Sequence, residues 1–148
     1  MIVYHASYQY FKQPNLKYAK SYRDFGKGFY VTEHYLDALS ILKNKIGYIY
    51  KYELDISQLN ILNVNNKEVL NTIIQFRTKK DCFNNDIIIG PTASGKISKL
   101  FKNLRNNQNC LDEIKKEIKF DIYKNQICLK TNQAINQLKL LEIEDIYE

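Results

Sequence analysis

Apolar positions along the chain follow two rhythms, one of period two and one near 3.6, and the switches between them delimit the elements. Met1–His5 is short, apolar and rich in β-formers, which predicts a first strand. Asn15–Lys27 is polar and turn-prone, and Gly28–Thr32 predicts a second, aromatic strand. Between His34 and Lys45, Leu36, Leu39, Leu42 and Ile46 recur at helical spacing, with Thr32 as the expected N-cap. Tyr48–Leu54 alternates, putting Tyr48, Tyr50 and Tyr52 on one face and Ile49 and Lys51 on the other. Asn60–Val64 predicts a short strand, and Lys67–Arg77 an amphipathic helix through Val69, Leu70, Ile73, Ile74 and Phe76.

The second half continues with a buried strand at Asp86–Ile89, ended by Gly90-Pro91. Lys96–Leu104 and Leu111–Lys119 predict helices separated by Asn-rich residues, followed by a strand over Tyr123–Thr131. A short helix over Asn132–Lys139 and a final strand over Leu140–Ile146 complete the chain. Strands and helices keep no regular βαβ rhythm, so the expected class is α+β, as one domain over 1–148.

Composition narrows the class without naming a chemistry. A chain of 148 residues with 45% hydrophobic and 26% charged residues is long enough to bury a core without staples. No apolar run is as long as a membrane span, and no basic-then-apolar leader opens the chain. Cys82, Cys110 and Cys128 are widely spaced and form no ligand pair, so free thiols, a cytoplasmic location and no metal are expected. The net charge of +6 is uneven: residues 93–130 hold nine Lys/Arg against four acids, and residues 131–148 one Lys against four acids. Lys96, Lys99, Lys102 and Arg105 recur along one side of a helix, a stripe suited to a phosphate backbone or to plain solvation. Tyr8, Tyr10, Phe11, Tyr18 and Tyr22 are aromatics that either stack bases or close on the core.

Two phosphate-binding motifs fail on inspection. Gly90-Pro91-Thr92-Ala93-Ser94-Gly95-Lys96 resembles a nucleotide-cradling loop, yet Ile97 stands where a Mg²⁺-binding hydroxyl belongs. The Gly/Pro content of that segment reads as a plain strand-to-helix turn. Gly26-Lys27-Gly28 lacks the third glycine and the preceding strand of a dinucleotide fingerprint.

Three segments carry a more specific signal. Tyr4-His5-Ala6-Ser7 ends the first strand, Asp24-Phe25-Gly26-Lys27-Gly28-Phe29-Tyr30-Val31-Thr32 leads into the second, and Asn125-Gln126-Ile127-Cys128-Leu129 lies in a late one. Together they resemble the His–Tyr–Glu signature of the diphtheria-toxin and poly(ADP-ribose) polymerase branch of ADP-ribosyltransferases. The chain is more similar still to the DUF3990 family of ADP-ribosyltransferase-like domains, including its Asp-Ile-Ile-Ile-Gly-Pro strand and late Gln strand. The resemblance implies split mixed and antiparallel sheets flanked by helices, with NAD⁺ as substrate.

In that resemblance His5, Tyr30 and Gln126 are the catalytic set. His5 would bond the adenosine ribose, Tyr30 would stack on nicotinamide, and Gln126 occupies the place of the catalytic Glu. The backbone of Ala6 would hold the carboxamide, with Ser7 beside it; Gly28 would give close approach to the dinucleotide, and Thr32 would support the strand. Gln126 binds a hydroxyl but brings no negative charge, so single transfer is expected rather than chain elongation. Ala6 stands where the branch has Gly, which matters only if the position needs φ > 0, and Ala93-Ser94 replaces the family's Ala-Asp. The implied function is mono-ADP-ribosyl transfer to protein or nucleic acid by a toxin or defence effector with an antitoxin partner. The alternative is an inactive module of the same fold that binds NAD⁺ or nucleic acid.

Overall fold

The computed structural model describes residues 1–78, 84–94, 98–106 and 111–147, without the side chains of 94, 98, 99 and 121–123. In chain order the elements are β1 (Ile2–Ser7), β2 (Phe29–Val31), α1 (Tyr35–Ile41), β3 (Gly47–Leu54), β4 (Ile61–Asn63) and α2 (Val69–Thr78). They continue with β5 (Ile87–Ser94), α3 (Ser98–Arg105), α4 (Leu111–Glu117), β6 (Lys119–Leu129), α5 (Asn132–Ile135) and β7 (Leu138–Ile146). One sheet has the order β1-β3-β7 and is antiparallel; the other, β2-β6-β5-β4, is antiparallel except for the parallel pair β4–β5. The class is α+β, as the irregular order of elements predicts.

Strand alternation builds the layers. Val3, Tyr50 and Tyr52 of the first sheet meet Phe29, Val31, Ile87, Ile127 and Leu129 of the second in a core between the sheets. The alternate residues Ile88, Cys128 and Tyr30 face the other way, onto Val69, Ile73 and Phe76 of α2, Phe101 of α3 and Ile114 of α4. On the far side Tyr4, Ala6 and Ile49 pack under Ala38 of α1 and Leu42 just past its end. The predicted tyrosine face of β3 is observed: the Tyr50 and Tyr52 rings stack 6.2 Å apart.

Several boundaries differ from expectation for local reasons. Gly90-Pro91 does not end β5, nor is it a strand-to-helix turn; the strand runs on to Ser94. Its register against β6 jumps from Pro91↔Asn125 to Thr92↔Asp121, and this irregularity accommodates a proline that has no N–H to give the ladder. Helix α1 stops at Ile41, and Lys43 and Asn44 follow with φ of 49° and 60°, ending the helix in left-handed backbone. Ala38 of the short helix and Leu42 at its C-cap are buried, whereas Leu36 and Ile46 are 72% and 64% exposed. Its N-cap is His34, not Thr32, although Thr32 Oγ1 accepts from the His34 N–H at 3.2 Å. Helix α5 ends four residues early and is capped by Thr131, whose Oγ1 accepts from the Ala134 N–H. Among the described residues no helix is long and apolar enough to cross a membrane.

Candidate functional site

Hydrogen-bond parity on β1 shapes the site. In an antiparallel ladder, the N–H and C=O of one residue point to the same side, and those of the next residue to the other. Met1 exchanges both bonds with Leu54, at 2.9 and 2.8 Å, so odd-numbered residues of β1 face β3. Tyr4 exchanges both bonds with Thr32, at 2.7 and 2.9 Å, so even-numbered residues face β2. Strand β2 ends at Val31, and Thr32 is the last residue of that segment to bridge to β1. Ala6 therefore aims its N–H and C=O past Thr32, where no strand of the described residues receives them. Its backbone has no positive φ, so alanine in place of glycine costs nothing here.

His5 sits beside this opening. Its Nδ1 lies 2.7 Å from the carbonyl oxygen of Tyr30; a carbonyl only accepts, so Nδ1 carries the proton. Burial lowers the imidazole pKa, partly opposed by that hydrogen bond, and keeps the ring neutral with Nε2 as an acceptor. The ring stacks on Phe29 at 4.1 Å, and Phe11 meets it edge-on at 5.8 Å. Phe11 is itself anchored: it stacks on Tyr50 at 4.1 Å, and the Tyr50 hydroxyl accepts from its N–H and donates to its C=O. Of the aromatic group, Phe11 thus closes on the core, while Tyr8, Tyr10, Tyr18 and Tyr22 are exposed.

Tyr30 and Gln126 lie on the opposite, helix-covered face of the second sheet. The Tyr30 hydroxyl accepts from the Phe25 N–H at 3.0 Å and donates to the Gly26 carbonyl at 2.7 Å. Burial, with Cys128 alongside, raises its pKa and leaves the phenol neutral. Gly26 turns with φ 75°, and Lys130 Nζ donates to the carbonyls of Phe25 and Lys27, so the turn is tied down from both sides. Gln126 lies one residue past the pair Val31↔Ile127, at the end where Thr32 leaves β2. Its Nε2 donates to Asp24 Oδ2 at 3.0 Å and, more weakly, to the Pro91 carbonyl at 3.4 Å. Arg77 closes the group, with Nε and a terminal guanidinium nitrogen each 2.7 Å from Asp24 Oδ1.

The remaining candidates divide between packing and surface. A Cβ on Gly28 would lie 2.2 Å from Cys128 Sγ and 2.9 Å from the Leu129 carbonyl oxygen, so the glycine admits close packing against β6. Thr32 is buried at the bridge to Tyr4, and Ser7 Oγ donates to the Gln9 carbonyl in a local turn. Along the basic stripe Lys102 is exposed, but Arg105 is engaged: it donates to the Arg77 carbonyl and covers the Tyr22 ring at 4.3 Å. Lys96 and the side chain of Lys99 lie outside the described residues, as do Cys82 and Cys110.

A family model described as a protein of unknown function, DUF3990, matches residues 1–140. The chain belongs to the DUF3990 family. No curated protein and no solved structure matches the chain. The DUF3990 match takes in β1 through α5 and every candidate residue named above. Within this DUF3990 domain, Asp24 and Arg77 are the site-bordering residues that sequence reasoning gave no role. Asp24 opens the Asp-Phe-Gly motif, but its partner is 53 residues away on a helix, and only the folded sheet brings them together.

Proposed function

We propose that this DUF3990 protein is a mono-ADP-ribosyltransferase that cleaves NAD⁺ at the nicotinamide–ribose bond. One observation carries the reading: Ala6 offers an N–H and C=O side by side beside His5 that no strand of the described residues receives. That donor–acceptor pair is complementary to a carboxamide, which has one acceptor oxygen and an NH₂ donor. The neutral imidazole of His5 supplies an acceptor to a ribose hydroxyl, and Gln126, on the other face of the second sheet, an amide at the end where Thr32 leaves β2. Holding the sugar in this way favours the step in which the C–N bond breaks, its electron pair leaves with nicotinamide, and positive charge develops at the anomeric carbon. An oxygen or nitrogen of the acceptor then bonds that carbon and releases its proton to solvent.

The acceptor class under this reading is protein or nucleic acid, with Lys102 as the exposed, described member of the basic stripe. Unrestrained NAD⁺ consumption damages the producing cell, so the reading extends to a cytoplasmic toxin or defence effector restrained by an antitoxin protein. A second reading, an NAD⁺-binding module without turnover, is favoured by one contact. The carboxylate nearest Gln126 is already neutralised by Arg77, which leaves little net negative charge to face a developing cation.

Nicotinamide release tests the two. The purified chain is expected to release nicotinamide from NAD⁺, and His5→Ala to release it about tenfold more slowly, the effect of one lost hydrogen bond in the transition state. Binding of NAD⁺ without any nicotinamide release would favour the module instead.

A further inference from the structure

The amide of Gln126 has only one orientation that its neighbours accept. Both groups on its Nε2 side, the Asp24 carboxylate at 3.0 Å and the Pro91 carbonyl at 3.4 Å, are acceptors. Turning the amide over would set its oxygen against two other oxygens and strand the NH₂. The carboxylate does not rotate to relieve this, because Arg77 grips its other oxygen with two donors at 2.7 Å. Arg77 is in turn held by Phe101, over whose ring its guanidinium lies at 5.1 Å, and by α2. Gln126 Oε1 is left at the other end of this half-buried side chain, with no partner among the described residues.

We infer that Asp24 is a positioning residue: it fixes Gln126 with Nε2 inward and Oε1 presented as the acceptor for a substrate hydroxyl. This rests on the transferase reading, and it explains why position 126 carries an amide. A glutamate there would set a second carboxylate against Asp24 and against a carbonyl. One of the two acids would have to keep a proton. Paired with Asp24, glutamine can do what a lone glutamate does toward a hydroxyl without that conflict. The charged and titratable groups around the pair are Arg77 from α2, Tyr30 from β2, Cys128 from β6 and Lys130, which holds the Phe25–Lys27 turn. None of these replaces Asp24 as the acceptor for Gln126 Nε2.

Reciprocal substitution in the full chain tests the inference. Asp24→Asn offers its NH₂ to position 126, so Gln126 turns over and presents NH₂ to the substrate. The kcat for nicotinamide release is expected to fall about tenfold or more, with KM for NAD⁺ little changed. Adding Gln126→Glu to Asp24→Asn restores an acceptor facing the substrate, and most of the lost kcat returns. A merely structural Asp24 predicts the double variant to be no better than Asp24→Asn, and that result would overturn the inference.

Wild type without nicotinamide release would remove the transferase reading, and the contact itself is still tested by Gln126→Glu alone. Its glutamate, faced by Asp24, has a raised pKa when folded. Its stability contribution is therefore present at low pH and lost as pH rises through that value. The melting temperature of Gln126→Glu relative to wild type is expected to drop further at about pH 8 than at about pH 5. A deficit that does not change with pH contradicts the inference, whether or not the Asp24 variants fold.

Discussion

Arg77→Met is expected to destabilise the protein by about 3–5 kcal/mol, the usual cost of breaking a buried ion pair on one side only. The side chains of Arg77 and Asp24 are 15% and 11% exposed, so water does not take over the role of the guanidinium. The methionine fills the volume under Phe101 but offers no donors, leaving the Asp24 carboxylate with only the Gln126 amide. For a chain of this size the loss corresponds to a fall in Tm of roughly 10 °C. Adding Asp24→Leu to Arg77→Met is expected to recover much of it, since exchanging both partners for apolar groups removes the stranded charge. A single variant within about 1 kcal/mol of wild type would mean that the pair contributes no more than a surface bridge. Thermal melting of the two variants measures this directly.

Gly28→Ala is the second large effect. The added methyl group has no space, because Cys128 Sγ occupies its place at 2.2 Å and the Leu129 carbonyl oxygen stands at 2.9 Å. The thiol turns away only by disturbing the buried cluster around Cys128, and the carbonyl belongs to the backbone of β6. Overpacking of this kind costs about 1–3 kcal/mol. Because β2 is only three residues long and pairs through Phe29, Tyr30 and Val31, the strain falls on the whole strand. Combining Gly28→Ala with Cys128→Ala is expected to return part of the stability, but not all of it, since the Leu129 carbonyl remains. Denaturant titration of the single and double variants checks the coupling; strict additivity would contradict the close approach.

The strands were legible where alternation was clean. Tyr48, Tyr50 and Tyr52 announce β3 because tyrosine on every second residue has no helical equivalent, and the β1 and β2 segments follow from short apolar runs beside glycine or polar turns. Helix α1 is shorter at both ends than its apolar spacing predicts. Leu36 and Ile46 fit a helical stripe by spacing, but Leu36 is exposed within the helix, and left-handed backbone at Lys43 and Asn44 stops the helix before Ile46. Pro91 has the chemistry of a stop signal, and the irregular pairing with β6 keeps it inside a strand.

At the site, the motif around Gly28–Tyr30 was visible because glycines and aromatics are locally distinctive. Two things were not. The direction in which Ala6 aims its N–H and C=O depends on which way a ladder's parity falls, a property of pairing with β3 and Thr32 rather than of residue type. The contact of Asp24 with Arg77 and Gln126 joins three segments far apart in the chain, and nothing in the spacing of these common polar residues foretells it.

The central claim is that NAD⁺ is cleaved here and its ADP-ribose transferred. Adenine-labelled NAD⁺, incubated with the chain and a cell lysate later split into protein and nucleic-acid fractions, tests it most directly, with His5→Ala alongside. The account predicts label in one macromolecular fraction with the wild-type chain and about tenfold slower labelling with His5→Ala. NAD⁺ left intact by the wild-type chain in the presence of both fractions would contradict it.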